Sequence, residues 1–236
     1  MKNKSYIGIS FIILVFGIIF IPKIVDRIKR GDVTDLKDRS SAVSENTLAY
    51  ITSAMGEKVK VPDFIFTNQD SLPITNEDYL GKVYVLEFFF TKCPTICPIM
   101  NQKMKELDDL FGDKADFGIV SITIDPANDT PLKLKEHAEL YDPQSKNWNF
   151  LTGKKETIYD LANNGFKMYA GQGSEEAGGF EHSGLFALID KEGYIRSRKD
   201  QYGNPITYYR AIEDSEYGLE NQIEELKEDI KLLLSE

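Results

Sequence analysis

Cysteine is almost missing from this chain: 236 residues hold two, Cys93 and Cys97. Two cysteines cannot scaffold a fold through disulfides, so stability has to come from an apolar core. Histidine is as sparse, with only His137 and His182. Grouped cations are lacking as well. The 28 Lys and Arg against 38 Asp and Glu leave a formal net charge of -10, which argues against nucleic acid as a partner, because phosphate binding needs clustered positive charge. The acidity reads as solubility. Internal repeats and low-complexity segments are absent too.

What the chain does have begins with an uninterrupted apolar run, residues 6–21. It has no polar face, which makes it a poor core helix. It is slightly short of the roughly 20 residues that span a bilayer, and Ile24 and Val25 can extend it if Lys23 snorkels. No small-residue cleavage site follows it, and no cysteine lies near its end for lipid attachment. The expectation is a single N-terminal transmembrane anchor, with its flank, over residues 1–30. Lys2 and Lys4 place the N-terminus in the cytoplasm, whereas Lys23, Arg27, Lys29 and Arg30 pull the other way, so the positive-inside rule alone leaves orientation open. Residues 31–60 are polar and mixed in charge and read as a tether, with one helical turn around residues 48–55. Residues 61–236 remain for one soluble domain.

Within that domain, residues 61–66 predict a short strand, and residues 83–90 and 117–124 predict buried strands from their Val, Ile and Phe content. Asp129 or Thr130 is a good helix N-cap, with Pro131 at the first helical position. Residues 148–151 predict a brief strand, residues 156–164 a helix ended by Gly165, and residues 171–179 a flexible loop rich in glycine and glutamate. Residues 184–190 and 194–199 predict a hairpin turning at residues 191–193. Leu219, Ile223, Leu226, Ile230 and Leu233 share one face of a final helix. This order is that of an α/β thioredoxin-like sandwich with insertions. Parallel strands carry their functional residues at the carboxyl ends, so Cys93 and Asp125 should meet at one edge of the sheet.

The chemistry gathers in residues 88–100, Phe-Phe-Phe-Thr-Lys-Cys-Pro-Thr-Ile-Cys-Pro-Ile-Met. Cys97 falls close to the start of a helix, where backbone N–H groups and the dipole favour a thiolate. Two cysteines four apart on one turn can hold a soft metal ion or cycle between dithiol and disulfide. Met100 and Met104 repeat with Leu107 and Phe111 and read as helix core. His137 sits in a charged segment, residues 133–139, and reads as a surface residue. His182 follows the glycine-rich loop and precedes a strand, so it can reach over the sheet edge, although a solvated loop histidine would look the same. Glu87 stands alone in an apolar strand and suggests no role.

Thr91-Lys92-Cys93-Pro94-Thr95-Ile96-Cys97-Pro98 resembles the TxCPxxCP signature of the SCO/SenC family of copper-binding thioredoxin-like proteins. Ile124-Asp125-Pro126-Ala127-Asn128-Asp129-Thr130-Pro131 resembles the family's DPxRDTP segment, with Asn128 where arginine is common. Residues 148–153 resemble its WxFLTG segment, and His182-Ser183 with residues 188–193 its histidine-bearing strand and hairpin. The similarity runs from about residue 61 to about residue 198. It implies copper, as Cu(I) or Cu(II), held by Cys93, Cys97 and His182. Two thiolates suit Cu(I), and an imidazole extends the set to Cu(II). A closed structural zinc site would need a fourth donor. Asp125 is a candidate second-layer residue orienting His182, with a loop-capping role ahead of Pro126 equally open.

The resemblance further implies a metallochaperone rather than an enzyme, delivering copper to the dinuclear copper centre of cytochrome c oxidase subunit II. The rival function is a thiol–disulfide oxidoreductase acting through the Cys93/Cys97 pair without metal. Three intervening residues depart from the CxxC of such reductants, and that reading gives His182 no task. A peroxidase would need an arginine beside the thiolate, and none occurs near the motif. Either leading function requires an oxidising compartment. That sets the expected location: a bacterial inner membrane, with the domain facing the periplasm. A mitochondrial precursor would begin with an Arg- and Ser-rich presequence.

Overall fold

The structure, a computed structural model, describes residues 14–16, 21, 48–174, 178–200, 202–213 and 219–236. The chain divides into two compact units, Met1–Glu45 and Asn46–Glu236. Of the expected anchor, only residues 14–16 and 21 are described, and they are helical. Among the described residues no helix is long and apolar enough to cross a membrane. The rest of the anchor and tether residues 31–47 lie outside the described residues.

The second unit is built on strands β1 (Ala49–Tyr50), β2 (Ile65–Asn68), β3 (Pro73–Thr75), β4 (Val83–Phe89), β5 (Phe117–Thr123) and β6 (Trp148–Thr152). It continues with β7 (Ala170–Gln172), β8 (Phe180–His182), β9 (Leu185–Ile189), β10 (Ile195–Ser197) and β11 (Tyr209–Arg210). Nine strands form one sheet, ordered β1-β10-β9-β4-β5-β6-β2-β3 with β11 added on β9, and β7 pairs with β8 separately. Among the described residues only β4, β5 and β6 run parallel, and every position of β4 and β5 is buried. Burial on both faces explains why these strands read as continuous apolar runs rather than alternating ones. The register, Val83↔Phe117 through Phe89↔Thr123, brings the carboxyl ends of β4 and β5 level.

Helices α1 (Cys97–Phe111), α2 (Pro131–Glu139), α3 (Lys155–Asp160) and α4 (Ile223–Ser235) complete the domain. Successive β4 side chains face opposite ways. Phe89 meets His137 of α2 at 5.4 Å between centroids, while Phe88 meets Phe166 at 6.0 Å. The sheet is therefore covered on both faces. Met100, Met104, Leu107 and Phe111 are buried along α1, as expected for core residues, and Lys227 of α4 pairs with Glu106 of α1 at 2.9 Å.

Four local expectations change. The domain begins before residue 61: Ala49 and Tyr50 pair with Ser197 and Arg196, where a tether with a helical turn was expected. The strand expected at residues 61–66 forms at Ile65–Asn68 and turns back on β3. Helix α3 passes into a π-helical turn, Leu161–Phe166, that ends at Lys167 with φ 57°, not at Gly165. Gly165 serves close approach instead, since a Cβ there would lie 2.9 Å from the Pro62 ring. Finally, the ends of the glycine-rich loop form a ladder, Ala170↔His182 and Gln172↔Phe180, so His182 stands on a strand.

Candidate metal centre

Strand β4 ends at Phe89, and the chain bends through Phe90 to Ile96 before α1 begins at Cys97. Ile96, at the N-cap position, offers this helix no side-chain bond; instead the Cys97 N–H donates to Cys93 Sγ at 3.4 Å. The sulfur thus satisfies one of the donors a helix start leaves unpaired. His182 arrives from β8 with Nε2 3.0 Å from Cys97 Sγ, and its Nδ1 lies 3.1 Å from the Ser183 carbonyl. The Cys93, Cys97 and His182 donor atoms all lie within 4.8 Å of one another, and all three residues are buried.

The two thiols are not equivalent. The hydrogen bond with Cys97, opposed by burial and helped by His182, pulls Cys93 down to about 3. Its bond to Cys93, together with burial, pushes Cys97 up. The thiolate is therefore favoured at Cys93, chiefly by the Cys97 thiol, whereas closeness to the helix start had suggested Cys97. Cys93 also faces a cavity of about 380 Å³ with Phe90, Thr95, Ile96, Phe180 and His182 in its wall, and Cys97 lies behind. A larger acidic hollow beside α4, about 560 Å³, contains none of the candidate residues.

Three donors at metal-bond lengths of about 2.3 Å in a trigonal plane stand about 4 Å apart. The observed spacing approaches this, so small side-chain rotations would centre an ion among them. Two sulfurs and one imidazole form a soft set. Within the described residues this is the one group of three His, Cys, Asp or Glu side chains so placed.

Asp125 is buried at the neighbouring strand end, as its place after β5 suggested. Its recorded side-chain bond is to Asn128, whose amide donates to Oδ2 at 2.7 Å, and its carbonyl accepts from the N–H groups of Asn128 and Asp129. That is the loop-capping arrangement. The residue that reasoning from sequence passed over is Asp129. Its carboxylate accepts from the Thr91 N–H at 3.0 Å and from the Thr91 and Thr123 hydroxyls, so it clasps the cysteine loop to the end of β5. Thr130 is the cap of α2, accepting from the Lys133 N–H at 3.4 Å. An aspartate two residues before a helix-opening proline was a signal, but it pointed equally to capping.

His137 is not a surface residue. It is half-buried, stacks on Phe89, meets the Tyr141 ring at a tilt, and bonds the Asn101 amide at 2.9 Å. The charged neighbours pointed to solvent, but at this position α2 turns inward. Burial lowers its pKa. Glu87 faces the same interior: Oε1 accepts from Ser121 at 2.8 Å, Oε2 is buried without a partner, and burial pushes the carboxyl up to about 8.

A sheet with helices on both faces and a dithiol–imidazole triad where its central parallel strand ends defines a thioredoxin-like soft-metal or dithiol protein. The SCO1/SenC profile matches residues 52–215, and the chain belongs to that family. An SCO1 protein homolog of Bacillus subtilis is 33% identical over 173 residues, covering 69% of this chain and 87% of the relative. The structure of BsSco, described as carrying a disulfide switch and as a member of the Sco family of cytochrome c oxidase assembly proteins, is 29% identical. It covers 74% of this chain and 93% of its own, with TM-score 0.59. Bradyrhizobium japonicum ScoI, solved with copper bound, shares the fold at TM-score 0.56 and 21% identity, over 74% of this chain and 99% of its own.

Proposed function

We propose that this chain is a membrane-anchored copper carrier. It holds one copper through Cys93, Cys97 and His182 and passes it to the dinuclear copper centre of cytochrome c oxidase subunit II. The observation that carries this reading is the convergence of two sulfurs and an imidazole within 4.8 Å beside an open cavity. A three-donor set leaves one side of the ion free, as a carrier needs. Asp125 and Asn128 hold the facing loop in place. The cytochrome c oxidase assembly role attached to BsSco supports the choice of recipient. Residues 6–21 supply the anchor of a single-pass protein in a bacterial inner membrane, with the domain in the periplasm.

One observation favours a second reading, thiol–disulfide exchange with the recipient: the lowered Cys93 thiol on the cavity wall and the raised Cys97 thiol behind it. The deciding experiment titrates the reduced full chain, in detergent and without oxygen, with Cu(I) and then Cu(II). One tightly bound copper, with a sulfur-to-Cu(II) absorption lost in Cys93→Ser or Cys97→Ser, supports the carrier. No stoichiometric copper, with a disulfide that still cycles, supports the exchange reading. Full-length chain recovered without membranes would remove the anchor.

A further inference from the structure

The cavity that Cys93 and His182 line is far larger than its proposed cargo. At about 380 Å³ it falls within the roughly 300–1,000 Å³ of pockets that hold organic ligands, whereas a single water occupies about 30 Å³ of liquid. It therefore has room for a side chain that reaches the open face of the ion. Its walls say which kind. Phe90 and Phe180 stand 5.5 Å apart between centroids, Phe90 meets the His182 ring edge-on at 6.0 Å, and Ile96 adds an aliphatic surface. Among the described residues Glu181 is the one charged residue of the lining.

Three soft or borderline donors could enter. A cysteine thiolate would bring a further negative charge to a site that already holds two thiolates and faces Glu181, and that repulsion counts against it. An imidazole would give up more hydration than a thioether on entering, and beside the two aromatic rings its N–H would have to find Thr95 or Glu181. A thioether is neutral, soft, and makes favourable contacts with aromatic rings. We propose that the cavity receives a methionine side chain from the copper acceptor, which packs against Phe90 and Phe180 and supplies the fourth donor while the ion is handed over. This rests on the copper-carrier reading and adds the chemistry of the partner to it.

The probes are the tripeptides Gly-Met-Gly, Gly-His-Gly and Gly-norleucine-Gly, added to the Cu(I)-loaded full chain. Copper-edge X-ray absorption reads the donor set, and NMR reads the Phe90 and Phe180 rings. The methionine peptide should add a sulfur neighbour to copper and shift both rings, and norleucine, which has the shape without the sulfur, should leave the copper spectrum unchanged. Phe180→Leu and Phe180→Ala should weaken the methionine peptide about three- to tenfold while one copper stays bound. A copper spectrum that ignores methionine, that responds more strongly to histidine, or an affinity unchanged in both Phe180 variants overturns the inference and leaves the carrier standing. A chain that binds no copper at all removes both.

Discussion

Two polar regions of the interior contain a histidine, and each ring lies against a polar side chain. His182 lies 3.0 Å from Cys97 Sγ, and His137 lies 2.9 Å from the Asn101 amide. Burial and a hydrogen bond therefore do not separate them. Around His182 a second soft donor, Cys93, stands within 4.8 Å, and a cavity opens to it. Around His137 there are aromatic rings, and nearby under the sheet Glu87, Ser121 and Trp148 form a sealed chain of hydrogen bonds. Convergence of like donors and a way in are what distinguish a site from a satisfied interior.

Exchanging the histidines' roles is the strongest attack on that contrast. His182→Ala should cost copper affinity about a thousandfold or more, roughly 4 kcal/mol, and His137→Ala no more than about threefold. Competition with a Cu(I) chelator measures both. Equal losses would erase the distinction.

Next in size is Glu87. Below about pH 4.5 its carboxyl is protonated in both the folded and the unfolded chain. As pH rises to about 8, the unfolded chain ionises while the fold keeps its proton, so stability falls and then levels off. Glu87→Gln keeps an acceptor for Ser121 and removes that dependence. At pH 9 the variant should be more stable by on the order of 3 kcal/mol in urea unfolding, with little gain at pH 5. A gain independent of pH would mean that the region is not sealed around a neutral acid.

Asp129 joins the open site to the protein interior. Asp129→Asn should cost about 2 kcal/mol of stability and lower copper affinity about tenfold, because the cysteine loop loses its clasp while all three donors remain. Unchanged affinity would make the clasp a fold element only. The smallest effect belongs to His137. Its pKa is depressed in the fold, so its contribution is present above about pH 6.5, the ordinary histidine value, and is lost as pH falls further. His137→Gln should flatten that acid limb of the melting temperature.

Much of this was legible from residue order. The runs at residues 83–90 and 117–124 read as buried strands from their Val, Ile and Phe content, and every position of β4 and β5 is buried. Cys93, Cys97 and His182 were named from motif and from resemblance, and the structure brings them together. What escaped depended on pairing across the chain. Nothing near Ala49 announces that it lies against Ser197, and glycines between Ala170 and His182 hid a ladder closed by residues 12 apart. Glu87 and His137 escaped for another reason: polarity in a sequence points to solvent, whereas here other polar side chains receive it inside.

The sulfur of Cys93 holds the amide with which α1 begins. Anything that engages that sulfur competes with the helix for it. The Cys97 amide proton is thereby a built-in gauge: its exchange rate and chemical shift would register whether the site is laden or empty, without any probe placed on the metal itself.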